Sequence, residues 1–204
     1  MALQQSPPPQ FPLQGGIVVL AVLGLPGTGK STQAAALANE WGCPVLSGGQ
    51  WLRDRAASGD LDSQHVMQAG LPMSPDDYRR FLEESTTRDT TVVLDGSPRS
   101  VGQVAVLRDV AQARGFQERV AGLVLRGVPL AALSRRLVDR GTRSGRMDDS
   151  DVVIAQRLAV QSADLDITAR EFGQVWPVRV IQANGPVSDI SRSVAEAVKS
   201  WLVP

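Results

Sequence analysis

Histidine and cysteine are almost missing from this chain of 204 residues: His65 and Cys43 are the only ones. One cysteine excludes an internal disulfide and fits a reducing compartment. One histidine excludes a serine–histidine–acid relay built on several candidates. No metal-ligand spacing surrounds His65, so a surface or packing role is expected for it. Neither sign of charge is in excess, since Lys+Arg and Asp+Glu stand at 21 each. No overall field therefore recruits nucleic acid or a membrane. No run reaches the roughly 18 apolar residues of a membrane helix. The N-terminus also lacks the charged-then-apolar order of a signal peptide. These absences lead to the expectation of a cytoplasmic protein with neither nucleic-acid nor membrane partner. The length suits one α/β domain with inserts.

What is present is glycine in a particular setting. Gly24-Leu25-Pro26-Gly27-Thr28-Gly29-Lys30-Ser31 satisfies the pattern G-x-x-x-x-G-K-[ST] at every fixed position. The apolar, β-branched run Ile17 to Leu23 precedes it, as a buried parallel strand should. Thr32 to Ala38, rich in strong helix formers, follows. Strand, glycine loop and helix together make a polyphosphate cradle, with backbone N–H groups and the positive end of a helix facing the anion. Lys30 would reach the terminal phosphates, and Ser31 or Thr32 would offer a hydroxyl to Mg²⁺.

Residues 1–14 are rich in proline and glutamine without periodicity and read as a disordered tail. Cys43 to Leu46 reads as a second strand, followed by a glycine turn at Ser47-Gly48-Gly49-Gln50-Trp51-Leu52-Arg53. From Arg53 to Thr87 the pattern is helical, with breaks at Gly59, Gly70-Leu71-Pro72 and Ser74-Pro75; Asp60 and Ser74 are candidate N-caps. Three or four short helices without a strand point to a helical insert. Thr91 to Leu94 is the next buried strand. It ends in Asp95-Gly96-Ser97-Pro98-Arg99, which puts a carboxylate where it could hold Mg²⁺ through water. Helices are expected over Ser100–Arg114, Pro129–Arg140 and Pro186–Leu202, and strands over Val120–Leu125 and Val175–Ile181. Strands alternating with helices imply a parallel, doubly wound sheet.

Arginine is concentrated in one place. Residues 135, 136, 140, 143 and 146 are all arginine, against the single acid Asp139, with Arg157 one helix further on. Guanidinium groups give bidentate, permanently charged contacts to phosphate oxygens. Phosphoryl transfer requires positioning and charge neutralisation, and no covalent nucleophile. The paired acids Asp76-Asp77 and Asp148-Asp149 each open an expected helix, where capping and the helix dipole account for them; for Asp148-Asp149, which follow the arginine cluster, a hinge or arginine-pairing role is the alternative.

These motifs carry a resemblance. Gly24 to Gln33, Leu94-Asp95-Gly96-Ser97-Pro98-Arg99 with Gln103, Arg136 to Arg140, Ser144 to Asp149 and Arg157-Leu158 stand in the order and spacing of the adenylate kinase and nucleoside monophosphate kinase family. The resemblance runs from Ile17 to Leu202. It implies an α/β P-loop three-layer fold with a five-stranded parallel sheet and helices on both faces. It also implies a single kinase domain over 15–204, a helical monophosphate-binding insert over 47–77, and a short lid over 140–149 that lacks zinc ligands. The implied partners are ATP and a nucleoside monophosphate with Mg²⁺ as cofactor and no zinc, and a monomer is implied.

Roles follow from the same resemblance. Gly27, Thr28, Gly29, Lys30, Ser31 and Thr32 would cradle the ATP phosphates, Arg140 would contact them, and Gly185 would contact the ATP base. Ser31 and Asp95 would serve the metal. Arg53 and Arg99 would grip the monophosphate, with Gly48, Leu71, Met73, Gly96 and Gln103 around the acceptor. Lys30, Arg99, Arg140, Arg146 and Arg157 would neutralise charge on the phosphoryl group in flight; Arg146 and Arg157 also border the acceptor. Two departures stand out. The family usually has Ser-Thr-Gly-Asp-Leu-Leu-Arg where this chain has Ser47 to Arg53, so Gly48 replaces a threonine and Gln50 an acid. Gly48 leans towards pyrimidine acceptors and Gln103 towards adenine. The reading is therefore transfer from ATP to AMP, with CMP, UMP, dCMP or a modified nucleotide as the alternative, and a nucleotide-binding module with weakened catalysis as a third.

Overall fold

The computed structural model describes residues 18–87, 90–144 and 151–202. The expected tail over 1–14 and the segment 145–149, with Arg146, Asp148 and Asp149, lie outside the described residues. Five strands form one sheet: β1 (Val19–Gly24), β2 (Val45–Ser47), β3 (Val92–Asp95), β4 (Val120–Arg126) and β5 (Val178–Gln182). Their order is β2-β3-β1-β4-β5, and every pairing is parallel. Central β1 pairs Val19 with both Val92 and Val120.

Residues 18 to 22 are completely buried, which is why their sequence is apolar without alternation. Val19, Ala21 and Leu23 face one core, and Leu20 and Val22 face another. The first core is covered by α4 (Pro75–Ser85), α5 (Val101–Ala113) and α7 (Asp151–Val175). The second is covered by α1 (Lys30–Trp41) and α8 (Val187–Leu202). Helices thus lie on both faces, as the expected three-layer α/β fold requires. α6 (Leu130–Ser144) packs Leu133 and Leu137 against Ile154 and Leu158 of α7.

Between β2 and β3 the chain makes α2 (Gly48–Ala57), α3 (Leu61–Gln68) and α4. Their starts obey the capping chemistry read from the sequence. Asp60 accepts from the N–H groups of Asp62 and Ser63, and the Ser74 hydroxyl accepts from that of Asp77. Leu52, Met73, Tyr78, Phe81 and Leu82 join the same core as β1 and β3.

Three boundaries differ from expectation by three residues or more: α2 already begins at Gly48, where the expectation is a glycine turn as far as Arg53, because the Ser47 hydroxyl caps the helix by accepting from the Gln50 N–H. The last strand begins at Val178, not Val175, because α7 continues through Val175 and the Trp176 N–H still donates to Phe172 O at 2.9 Å. Pro177 then ends the helix. α6 also continues past Arg140 to Ser144. No helix among the described residues is long and apolar enough to cross a membrane. With all strands parallel, Gly24, Ser47 and Asp95 end at the same edge of the sheet. There the chain path switches from one side of β1 to the other, which is where such sheets bind ligands.

Candidate active site

The loop between β1 and α1 is closed on one carbonyl. Leu25 O accepts from the Thr28 hydroxyl at 2.8 Å, the Thr28 N–H at 3.2 Å and Lys30 Nζ at 2.8 Å. Gly29 enters α1 with φ 94°, a left-handed conformation that glycine adopts without penalty. Thr28 and Lys30 are buried as a result. Burial lowers the Lys30 pKa from 10.5 to about 7, with Arg99 adding to the effect and Asp95 opposing it. A buried ammonium beside a guanidinium is a site short of negative charge, and a polyphosphate supplies what is lacking.

Asp95, at the end of β3, accepts from the Ser31 hydroxyl at 2.7 Å. Gly96 follows with φ 70°. A Cβ there would stand 3.0 Å from Lys30 Cε and 3.3 Å from an Arg99 nitrogen, so a side chain would crowd both cations on a backbone that favours glycine. Arg99 Nε donates to Gly96 O at 2.6 Å, and its backbone N–H donates to Gln103 Oε1 at 2.8 Å. Burial, then Arg157, pushes the Arg99 pKa down to about 10, still charged at neutral pH. From α6, Arg136 donates to Gly27 O at 3.1 Å.

One cavity of about 960 Å³ joins these elements, a size that fits small-molecule sites. Gly27, Thr28, Gly29, Lys30, Ser31, Thr32, Gly185 and Arg53 line it. Asp95, Arg99, Arg140 and Arg157 also stand on its wall. The structure therefore brings together most of the residues singled out in the sequence. It does not bring Gly48, Leu71, Met73, Gly96 or Gln103 onto that wall. Leu71 is exposed. Gln103 is buried, its amide bridging Met73 O (2.9 Å) and the Arg99 N–H. Gly48 is buried too; a Cβ there would lie 2.8 Å from Met73 Cε, so the thioether occupies the space that a side chain at 48 would need.

Sequence reasoning missed several wall residues. Trp51, Phe81, Ser85, Val187 and Ile190 line the cavity as well. The signal for Trp51 was available: a tryptophan in an otherwise polar helix needs a surface to cover. Its ring meets Phe81 edge-on at 6.2 Å, its indole N–H donates to Glu84 at 2.9 Å, and Arg55 stacks over it at 4.7 Å. Val187 and Ile190 had no signal beyond their apolar positions at the start of the last helix.

Comparison with known proteins gives this geometry its place. A family model described as an AAA domain matches residues 23–155. An adenylate kinase of Thermus thermophilus is 39% identical over 143 residues, covering 68% of this chain and 74% of the relative. An adenylate kinase of Maricaulis maris is 30% identical over 186 residues, covering 88% of this chain and 98% of the relative. The chain belongs to the adenylate kinase and nucleoside monophosphate kinase family. One from Bartonella henselae, 28% identical over 190 residues, spans 88% of the chain and 99% of its own length.

As a member of this family the protein is an ATP-dependent nucleoside monophosphate kinase, and its chemistry is phosphoryl transfer between nucleotides. The cationic wall suits that chemistry. Lys30 and the guanidinium groups of Arg99, Arg140 and Arg157 line one cavity, a concentration of positive charge of the kind that phosphoryl groups require.

Proposed function

We propose that the protein catalyses reversible, Mg²⁺-dependent transfer of the γ-phosphoryl group of ATP to AMP, giving two ADP. The observation that carries this reading is the shared cavity, whose wall joins the phosphate-binding loop to Arg53 and Arg99. The loop residues Gly27 to Thr32 hold the donor's phosphates, with Arg140 against them and Gly185 near its base. Arg53 and Arg99 hold the acceptor phosphate, whose oxygen attacks the γ-phosphorus. The bond from that phosphorus to the β-bridging oxygen breaks, and ADP leaves with the electron pair. Lys30, Arg99 and Arg157 stabilise the charge on the group in transit. The segment 47–77 serves as the acceptor-binding insert, and Gln103 acts on the acceptor side by bracing the Arg99 backbone against Met73.

Oxygen donors suit Mg²⁺, and the Ser31 hydroxyl with the Asp95 carboxylate beside the loop form such a set. When bound with ATP, the cation neutralises phosphate charge and aligns the transferring group.

Gly48 supports a second reading, in which a different monophosphate such as CMP, UMP or dCMP is the acceptor. No side chain at 48 is available to a base, and Met73 fills its space. A coupled assay with ATP across AMP, CMP, UMP and dCMP tests both. AMP is expected to give the highest kcat/KM, and a pyrimidine in first place would overturn the AMP assignment. Loss of turnover by orders of magnitude in Lys30→Met and Arg99→Ala, with the fold kept, is the accompanying control.

A further inference from the structure

We propose that Gln50 is a positioning residue for the acceptor: its neutral amide holds the Arg53 guanidinium in place while its other end engages Asp54. The proposal rests on the reading that the acceptor phosphate lies between Arg53 and Arg99.

Gln50 stands in the first turn of α2, and its side chain is engaged at both ends. Its Oε1 accepts from Arg53 Nε at 3.1 Å and from an Arg53 terminal nitrogen at 2.8 Å, so one oxygen receives two N–H groups of the same guanidinium. Its Nε2 donates to Asp54 Oδ1 at 2.7 Å. The two ends of an amide are not interchangeable here. Reversed, the NH₂ would face a guanidinium and the carbonyl a carboxylate, two donors together and two acceptors together. The network therefore fixes the orientation of the amide, and the amide fixes Arg53.

The held guanidinium points at a shared space. From the position of a Cβ at Gly49, an Arg53 terminal nitrogen is 3.6 Å away and an Arg99 nitrogen 4.0 Å away. Glycine at 49 leaves that space open, and two guanidinium groups converge on it from α2 and from the loop after β3. Arg53, Arg99, Gln50 and Asp54 all line the cavity. Two convergent guanidinium groups make a site for a phosphate dianion.

An acid in this position would change two things. It would bring negative charge onto Arg53, in competition with the incoming phosphate. It would also set a carboxylate against that of Asp54, four residues on along the same helix face, where like charges repel. Gln50 and Asp54 are thus a matched pair: the amide supplies an acceptor for the arginine and a donor for the acid, and adds no charge. The amide at 50 is the form of this side chain that Asp54 tolerates.

Steady-state kinetics of the full chain with ATP and AMP, alongside calorimetric titration with AMP alone, test the proposal. Gln50→Ala, which removes an acceptor from a charged group, and Gln50→Glu, whose carboxylate competes with the phosphate for Arg53, are both expected to raise the KM and the Kd for AMP about tenfold. KM for ATP and kcat are expected to stay within about twofold, the pattern of an interaction lost equally in ground and transition states. Adding Asp54→Asn to Gln50→Glu is expected to recover part of the loss, because the introduced carboxylate no longer faces a second one. Gln50→Met, which keeps the length of the side chain, replaces Gln50→Ala if the latter melts early, with the same expected rise. Unchanged AMP affinity in the variants overturns the proposal, and so does a parallel rise in KM for ATP, which marks general loosening. If the wild type binds AMP with this dependence on Gln50 but transfers nothing to it, the AMP-kinase reading falls and the role of Gln50 stands. If the wild type neither binds nor phosphorylates AMP, both fall.

Discussion

Ser31 and Asp95, 64 residues apart, meet across 2.7 Å, the hydroxyl at the head of α1 donating to the carboxylate at the end of β3. This contact ties the phosphate-binding loop to the strand that leads into Arg99. It follows from the parallel register, in which Asp95 pairs with Val22, two residues before the glycine that opens the loop.

Asp95→Asn preserves the shape of this contact and removes the charge. If the carboxylate serves the cation that accompanies ATP, turnover is expected to fall at least about tenfold, and the Mg²⁺ concentration needed for half-maximal rate to rise. A Mg²⁺ titration of the coupled assay checks this. An unchanged Mg²⁺ dependence would limit Asp95 to holding Ser31.

Lys30→Met separates stability from activity. The ammonium is buried beside Arg99, a position that costs the folded state free energy. Removing the charge while keeping an unbranched chain is expected to leave the melting temperature of the nucleotide-free protein equal or higher, despite the lost bond to Leu25 O. Turnover is expected to fall about 10²-fold or more, as when one preorganised donor to a developing charge is removed. Thermal melts with and without ADP provide the check: ADP should stabilise the wild type more than the variant.

Much of this was legible in the sequence, for identifiable reasons. The phosphate-binding loop is a local device, whose glycines, lysine and flanking strand and helix lie within one stretch from Val18 to Ala38. The caps at Asp60 and Ser74 are local too. What escaped depends on partners distant in sequence. Trp51 finds Phe81 and Glu84 only when α2 packs on α4. For Gln103 the resemblance implies a place beside the acceptor base, and only the fold shows its amide engaged with Met73 O and the Arg99 N–H. Val175 has a strand former's side chain, yet packs against the core as the last turn of α7, since helix ends are decided by burial and by Pro177 more than by propensity.

Gly96→Ala tests the close approach of the two cations. The substitution forces a Cβ at φ 70° to within 3.0 Å of Lys30 Cε and 3.3 Å of an Arg99 nitrogen. The left-handed backbone alone costs about 1–2 kcal/mol. Stability is expected to fall by about that amount in a denaturant titration, and turnover with it as Lys30 and Arg99 separate. Wild-type kinetics at reduced stability would mean that the cations tolerate the added methyl.

Asp60 gives the insert a dependence on pH. Its carboxylate is held below the usual range, first by the Arg55 guanidinium at 2.8 Å and then by the backbone N–H of Ser63. A carboxyl whose pKa is lower folded than unfolded stabilises above its ordinary value of about 4 and loses that contribution as pH falls through the depressed value. Asp60→Asn keeps an acceptor for the N-cap and loses the charge. It is expected to melt below the wild type at pH 7 and to match it once the wild-type carboxyl is protonated. Melting curves from pH 7 to 3 decide. A gap that persists at the acid end would assign the difference to cap geometry.

Gly48 and Met73 make the last case, because each explains the other. The thioether end of Met73 lies 2.8 Å from where a Cβ at 48 would stand, and Phe81 is 4.0 Å from the same point. Gly48→Thr alone overpacks this spot and is expected to cost about 1–3 kcal/mol, tempered by the flexibility of the thioether. Met73→Val alone leaves a gap beside the glycine and also costs. Together the added branched side chain fills the volume vacated by the shortened one, so the double variant is expected to be more stable than the sum of the single losses predicts. A coupling of about 0.5–3 kcal/mol is the scale for residues in contact. Denaturant titration of the four proteins in the cycle measures it, and strict additivity would show that the two positions do not share the space. The same four proteins, assayed across the monophosphate panel, show whether exchanging a thioether for a hydroxyl at this spot shifts the preferred acceptor, which the AMP assignment predicts will move further towards AMP.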